Sequence, residues 1–394
     1  MADYGSIDAD NHYYEPLDAF TRHLAKKFTE RGVQVVQQGR RVKMLVGGEV
    51  NRFIPNPTFD PIVVAGCLDP LFRGQIPAGV DPRTLMQVEP LRPEYRDREV
   101  RADLLPSQGL DSVLLFPTLG VGVEQGLKDD IDATMASLSA FNRWLAEDWG
   151  FDYRGLIGVP MLSLADPVAA VAEVDWLLAQ GARMVHVRPA PVPAEHGTSR
   201  SLGDKRYDPV WARLAEASVP VAFHLGDSGY EASTTAWGGT ARFEGYGNIS
   251  VLTRVLVSDR AIHDTVASLL VDGVFTRHPS LRVASIENGS DWIELLVKRL
   301  RKQANQRPWA FAEDPLDTLR NHLWVTPYLE EDLSALAELI GVDRILFGSD
   351  WPHGEGVAQP LDFRKELGAF SEGDVRKIMR DNCLDLLGSP RAAA

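Results

Sequence analysis

Short runs rich in apolar and β-branched residues recur eight times along the chain, at 6–10, 112–116, 155–160, 183–187, 219–225, 281–286, 323–326 and 344–348. They lack strict polar alternation, the pattern of parallel strands covered on both faces. Between them, apolar residues return every three or four positions: Thr134, Leu138, Phe141, Leu145 and Trp149; Val168, Val171, Val174 and Leu178; Ile293, Leu296, Val297 and Leu300; Leu333, Leu336, Leu339 and Ile340. That spacing predicts helices that lay one face on a sheet. Asp166-Pro167 and Asp208-Pro209 each set a capping carboxylate before a proline and predict two helix starts. Eight strand–helix units predict an α/β chain closed as a (β/α)8 barrel, with an open doubly wound sheet as the alternative.

The register breaks after the first run. Residues 33–36 and 41–46 read as a hairpin around Gly39, and a passage rich in Pro and Gly follows, from Pro55 to Pro93. With few apolar residues to close a core of its own, 16–95 reads as an insertion at the C-terminal mouth of the barrel, where active-site loops sit. A second insertion, 226–258, is rich in Gly, Ser and Thr and is placed over the same mouth. The whole of 1–394 is then a single domain.

Polar residues concentrate where those runs end. Asp10 and His12 close the first run and, two positions apart on a strand, point the same way. His224 ends the fifth run and Asp350 follows the eighth. In a closed barrel these ends share one mouth, and two imidazoles with two carboxylates suit a catalytic divalent metal that keeps a position open. Singly, each has a plainer reading as a core histidine or a helix cap. His353 is expected to hydrogen-bond near Asp350. On the fourth run His186 and Arg188 share a face; Arg188 is set either to clamp a substrate carboxylate or to join an internal salt bridge. Tyr13, Tyr14, Phe116, Trp237, Trp309, Tyr328 and Trp351 lie at strand ends or on loops, where an aromatic wall for a ring-bearing substrate would form.

The stretches Ile7-Asp8-Ala9-Asp10-Asn11-His12, 220–224, Glu287-Asn288-Gly289 with Trp292, Asp381-Asn382-Cys383 and, above all, Phe347-Gly348-Ser349-Asp350-Trp351-Pro352-His353 resemble the amidohydrolase superfamily. The most similar branch contains aminocarboxymuconate-semialdehyde decarboxylase and the γ-resorcylate-type decarboxylases. The resemblance implies a distorted (β/α)8 TIM barrel, a homodimer and one divalent metal, zinc first and Mn2+ or Mg2+ otherwise. His12, His224 and Asp350 match metal ligands. Asp10 stands where the superfamily commonly has the first histidine of His-x-His, which makes the site harder. Glu287 stands where the sixth strand usually ends in histidine; as a carboxylate it can shuttle protons but cannot donate as imidazolium does. An ion pair with Arg188 or Arg254 is its plainer role. The expected activity is a metal-dependent hydrolase, in which activated water attacks the carbonyl of a small ring-bearing substrate and Asp350 passes the proton to the leaving group. The alternative is a non-oxidative decarboxylase of a hydroxylated aromatic or muconate-like acid, with protonated Asp350 delivering a proton to the ring. A barrel that only binds ligand is the third.

Charge narrows the partners to small molecules. Acidic residues outnumber basic ones 55 to 41, for a net −14, which disfavours nucleic acid and anionic membrane surfaces. Two cysteines, Cys67 and Cys383, make no disulfide framework and suit a reducing cytoplasm. No run approaches the roughly 20 apolar residues of a membrane span, and the first residues lack a signal-peptide pattern. Gly226-Asp227-Ser228-Gly229 mimics a serine-protease motif without that all-β, disulfide-rich context. Gly120-Val121-Gly122 with Gly126 misses the dinucleotide spacing.

Overall fold

The computed structural model of the protein describes residues 4–39, 41–240 and 250–388. Seven of the eight predicted runs form strands: β1 (Ser6–Tyr13), β2 (Leu110–Pro117), β3 (Leu156–Gly158), β4 (Val185–Val187), β5 (Val221–His224), β6 (Val283–Ile286) and β7 (Leu323–Val325). Parallel ladders join β1 to β2 to β3, and β4 to β5 to β6 to β7. The chain just past β3 bridges to β4, where the His186 N–H donates to Pro160 O at 2.8 Å and the Leu162 N–H to His186 O at 2.8 Å. The eighth run, 344–348, is extended but makes only isolated bridges. Its Leu346 N–H donates to Val325 O, and Phe347 O accepts the Ala9 N–H, each at 2.8 Å. The circle of eight is therefore closed.

Alternation sorts the strand residues. Leu114, Phe116, Ile157, Val159, Ala222, Ile286 and Leu346 form one buried cluster inside the ring. Their neighbours Val113, Leu115, Val221, Phe223 and Val283 join the larger core beneath the helices. Cys383, Leu386 and Leu387 of the last helix pack into the inner cluster. Fully burying an aliphatic or aromatic side chain of this size contributes about 1.5–3 kcal/mol.

The helices Ile131–Asp148, Asp291–Gln306 and Leu333–Ile340 bury the predicted stripes, and Asp166 caps its helix by accepting the Val168 and Ala169 N–H groups. Two expectations are corrected. Helix Pro167–Ala179 buries Ala170, Val174 and Leu177, whereas Val168 is 82% exposed; it is so uniformly apolar that the sequence carries no phase. Asp208 is not a cap, because Arg277 takes both its carboxylate oxygens.

Within 16–95, Val33–Gln38 pairs antiparallel with Arg41–Val46 as the hairpin pattern predicts, and Ile62–Val63 pairs with Val88–Glu89. Of the 226–258 passage, 241–249 lies outside the described residues.

One buried carboxylate fastens the last run to the first. Asp8 accepts four hydrogen bonds: from the Asp10 N–H (3.2 Å), the Asn11 side-chain amide (2.8 Å), the Ser349 N–H (3.0 Å) and the Ser349 hydroxyl (2.5 Å). Burial pushes its pKa up to about 7, against the pull of Ser349 and Asn11. Asp8→Ala leaves those buried donors without an acceptor, so a loss of about 3 kcal/mol or more is expected in urea unfolding, with Asp8→Asn milder.

Candidate metal centre

Local backbone features aim each side chain. On β1 a bulge sets Asp8 and Asn11 opposite Val113 and Leu115, one residue more than on β2. Ile7 and Ala9 therefore face the barrel interior, and beyond the bulge Asp10 and His12 face the mouth. Ala222 and His224 follow ordinary alternation. Glu287 and Asp350, just beyond β6 and the eighth run, are non-glycine residues at φ 56° and 53°. That left-handed geometry costs about 1–2 kcal/mol each and turns both carboxyl groups inward. Gly348 permits the close approach: a Cβ there would lie 2.7 Å from the Asp10 Cβ.

The result is a cluster of donor atoms. His12 Nε2 lies 3.4 Å from Asp10 Oδ1, 3.3 Å from Asp350 Oδ1 and 3.7 Å from Glu287 Oε2. His224 Nε2 lies 3.4 Å from Asp10 Oδ1 and 3.2 Å from Glu287 Oε2. Metal–ligand bonds of about 2.0–2.1 Å arranged tetrahedrally put ligand atoms about 3.3 Å apart. Asp10, His12, His224 and Glu287 form one set within 4.8 Å of one another, and His12, Glu287, Asp350 and His353 form a second. Asp10 Oδ1, His12 Nε2 and His224 Nε2 are buried and make no hydrogen bond. The other nitrogen of His224 sits 2.8 Å from Leu225 O, which leaves Nε2 as the lone pair turned to the cluster. Buried lone pairs converging without donors fit a divalent cation.

Electrostatics agrees with that fit. Burial pushes His12 down to about 4, so its imidazole is neutral and able to ligate. Burial also lowers His224, but Asp10 and Glu287 outweigh it and raise the net value. For Asp10, burial raises the carboxyl, and positive charge at the His12 and His224 Nε2 positions, where a cation would sit, outweighs it and lowers the net value. Glu287 is pushed up to about 8 by burial, with His224 opposing and Asp10 adding. Asp350 is raised well above the carboxylate range by burial and by Glu287, Glu355 and Asp10.

His353 stacks on His12 with ring centroids 4.0 Å apart, and its Nδ1 lies 2.6 Å from Asp350 Oδ1. Its Nε2 is 3.0 Å from Thr118 Oγ1, whose only proton goes to Tyr13 O at 2.8 Å. Thr118 therefore accepts from the His353 Nε2–H. Burial pushes His353 down to about 3, so the ring is neutral and Nδ1 is an acceptor. With the ring neutral, the raised Asp350 carboxyl is the donor of this pair.

The other predicted residues lie elsewhere. Tyr13 is fully buried between Trp144 and Trp149, on the far side of the strand from His12. Trp351 is the face on which the Arg101 guanidinium rests, 3.9 Å from the ring centroid. Arg188 takes the internal option, held by Gln125, Pro191 O and Glu124. His186 is buried with its ring 5.8 Å from that of His224, both nitrogens unpartnered, and belongs to neither donor set. Trp237 and Trp309 are 72% and 81% exposed. Asp8 and Ser349 lie within the matching stretches without a role assigned there, and Thr118 and Arg101, which hydrogen-bonds Asn11 and His12 O, carry no sequence signal of their own; each is found through its partners.

Asp10, Glu287 and Asp350 stand in the wall of a cavity of about 330 Å3. Phe53, Asp69, Phe72 and Arg73 of 16–95 line it, as do Glu231, Thr253, Arg254 and Asp259 after β5. Tyr328 is the aromatic of the expected wall that reaches it, donating its hydroxyl to Glu287 O at 2.7 Å.

Comparison with known proteins agrees with this architecture. The crystal structure of the amidohydrolase map2389c from Mycobacterium avium subsp. paratuberculosis K-10 is 59% identical, covers 98% of this chain and 100% of its own, and superposes with a TM-score of 0.94. A dihydroxybenzoic acid decarboxylase from Polaromonas sp. JS666, solved with manganese and 2-nitroresorcinol, shares the fold at 17% identity and TM-score 0.64, covering 98% of each chain. The 2-amino-3-carboxymuconate-6-semialdehyde decarboxylase of Dictyostelium discoideum is 27% identical over 128 residues, 31% of this chain and 35% of that relative. The match spans about a third of that curated relative's length. The amidohydrolase family model matches residues 7–389. With its barrel, its strand-end donor set and that match along nearly its whole length, the chain is an enzyme of the amidohydrolase family.

Proposed function

We propose that the protein is a metal-dependent carboxy-lyase acting on a small ring-bearing carboxylic acid. The observation that carries this reading is the hydrogen-bonded line Asp350–His353–Thr118: with His353 neutral, Asp350 carries the shared proton and stands as an acid beside the donor cluster. Hydrolysis needs a base at that point, whereas decarboxylation of an activated ring needs an acid. The decarboxylase name of the Dictyostelium relative supports the same choice.

In this reading Asp10, His12 and His224 hold the cation, with Glu287 completing the set and Asp350 at its edge. A divalent ion held there would supply Lewis acidity toward a substrate carboxylate. Asp350 gives its proton to the ring carbon that bears the carboxylate. The C–C bond then breaks, CO2 leaves, and the bonding pair stays with the ring. His353, neutral and pinned by Thr118, orients the Asp350 carboxyl and shields it from water. Hydrolysis stays as a second reading because Glu287, pushed up to about 8 by burial, becomes a base within reach of the same position once it gives up its proton.

Metal analysis of purified protein is expected to give one divalent ion per chain. His12→Ala and His224→Ala should fall below about a tenth of that, while His186→Ala, outside the donor sets, retains it. In a panel of hydroxylated benzoates, aryl esters and lactones, the loaded enzyme is expected to release CO2 from at least one acid; ester or lactone cleavage alone would establish the hydrolytic reading. Asp350→Asn should keep the metal and lose about 10²–10⁴ in kcat.

A further inference from the structure

We propose that the cavity carries, away from the metal cluster, an amine-recognising subsite in which Glu231 receives a protonated amino group on the remote end of the substrate. This rests on reading the cavity as the substrate site. Glu231 lies in the first turn of the segment Tyr230–Trp237 that follows β5, and it shares the cavity wall with Asp10, Glu287 and Asp350. It is 9% exposed, and its buried Oε2 has no hydrogen-bond partner. A carboxylate buried without a donor costs several kcal/mol unless something pairs with it.

Nothing described within the chain does so. Among the described residues only its own backbone N–H favours the ionised form, against burial. Arg73 on the same wall is held 2.6 Å from Glu366. Glu231 Oε2 is thus left open to a donor that a ligand in the cavity would supply.

The neighbours decide that this donor is charged. Asp227 is half-buried close by, pushed up to about 6 by desolvation, with the charge of Glu231 adding to the effect. The cation that acts on Asp227 is Arg188, already committed to Glu124 and Gln125. Asp259 lines the cavity as well. A hydroxyl would satisfy one oxygen and leave this negative potential in place; an ammonium satisfies the oxygen and offsets the field of both acids.

The test uses the full-length, metal-loaded protein and probes without a carboxylate, so that it does not depend on the reaction. Calorimetric titration at pH 7.5 is expected to show benzylamine binding at least tenfold more tightly than benzyl alcohol. Glu231→Gln should abolish that preference, and Glu330→Gln, elsewhere on the wall, should retain it. Equal binding of the two probes to the wild type overturns the proposal without recourse to any variant. So does a preference that survives Glu231→Gln or disappears in Glu330→Gln. A protein that releases CO2 from no acid yet still prefers benzylamine removes the carboxy-lyase reading and leaves the subsite standing.

Discussion

Everything at the mouth of this barrel depends on how its two ends meet. Asp10 and His12 come from the start of the chain and Asp350 and His353 from near its end, and no strand ladder holds them together. The join consists of isolated backbone hydrogen bonds and the buried carboxylate of Asp8, which grips Ser349 from the β1 side. Side-chain hydrogen bonds are directional and short, so a clasp of this kind fixes relative position more tightly than apolar packing alone. The buried Arg101 extends the clasp through Asn11, which donates to Asp8 and accepts from Arg101, and it is tied to His12 O while lying on Trp351. Two polar anchors thus replace the missing ladder at the point where precision matters most.

Most of the fold was legible because buried parallel strands and amphipathic helices write opposite periodicities into the chain. Where that contrast fades, so does the reading. Helix Pro167–Ala179 is apolar nearly all round, and its buried face could not be told from its exposed one. Asp208 looked like a cap because local sequence cannot reveal Arg277 arriving from 69 residues away. The donors Asp10, His12, His224 and Asp350 could be named since strand ends of a barrel share a mouth. The depth to which Glu287 joins them could not, because alternation past β6 would turn it outward and only a left-handed backbone brings it in. Tyr13 and Trp351 were misplaced by the converse effect: adjacency in sequence to a site residue puts a strand residue on the other face.

The cluster also shows how one set of burial forces yields groups in different protonation states. Asp10 is drawn toward its ionised form, His12 and His353 are kept neutral by dehydration, and Asp350 is pushed by burial first, and then by other carboxyl groups, toward holding its proton. A ligating base, a neutral spacer and an acid thus stand within a few ångströms of one another. Chemistry at this mouth is determined less by which residues are present than by who faces whom.

The left-handed conformations of Glu287 and Asp350 set a trade-off between durability and work. Glycine at either place would relax the main chain and leave the molecule sturdier, while erasing the carboxyl group that the conformation serves to present. Drift toward thermal robustness and selection for turnover therefore pull these two positions in opposite directions. A descendant released from catalytic duty should surrender them early, so their side chains act as a record of whether the barrel is still employed as an enzyme.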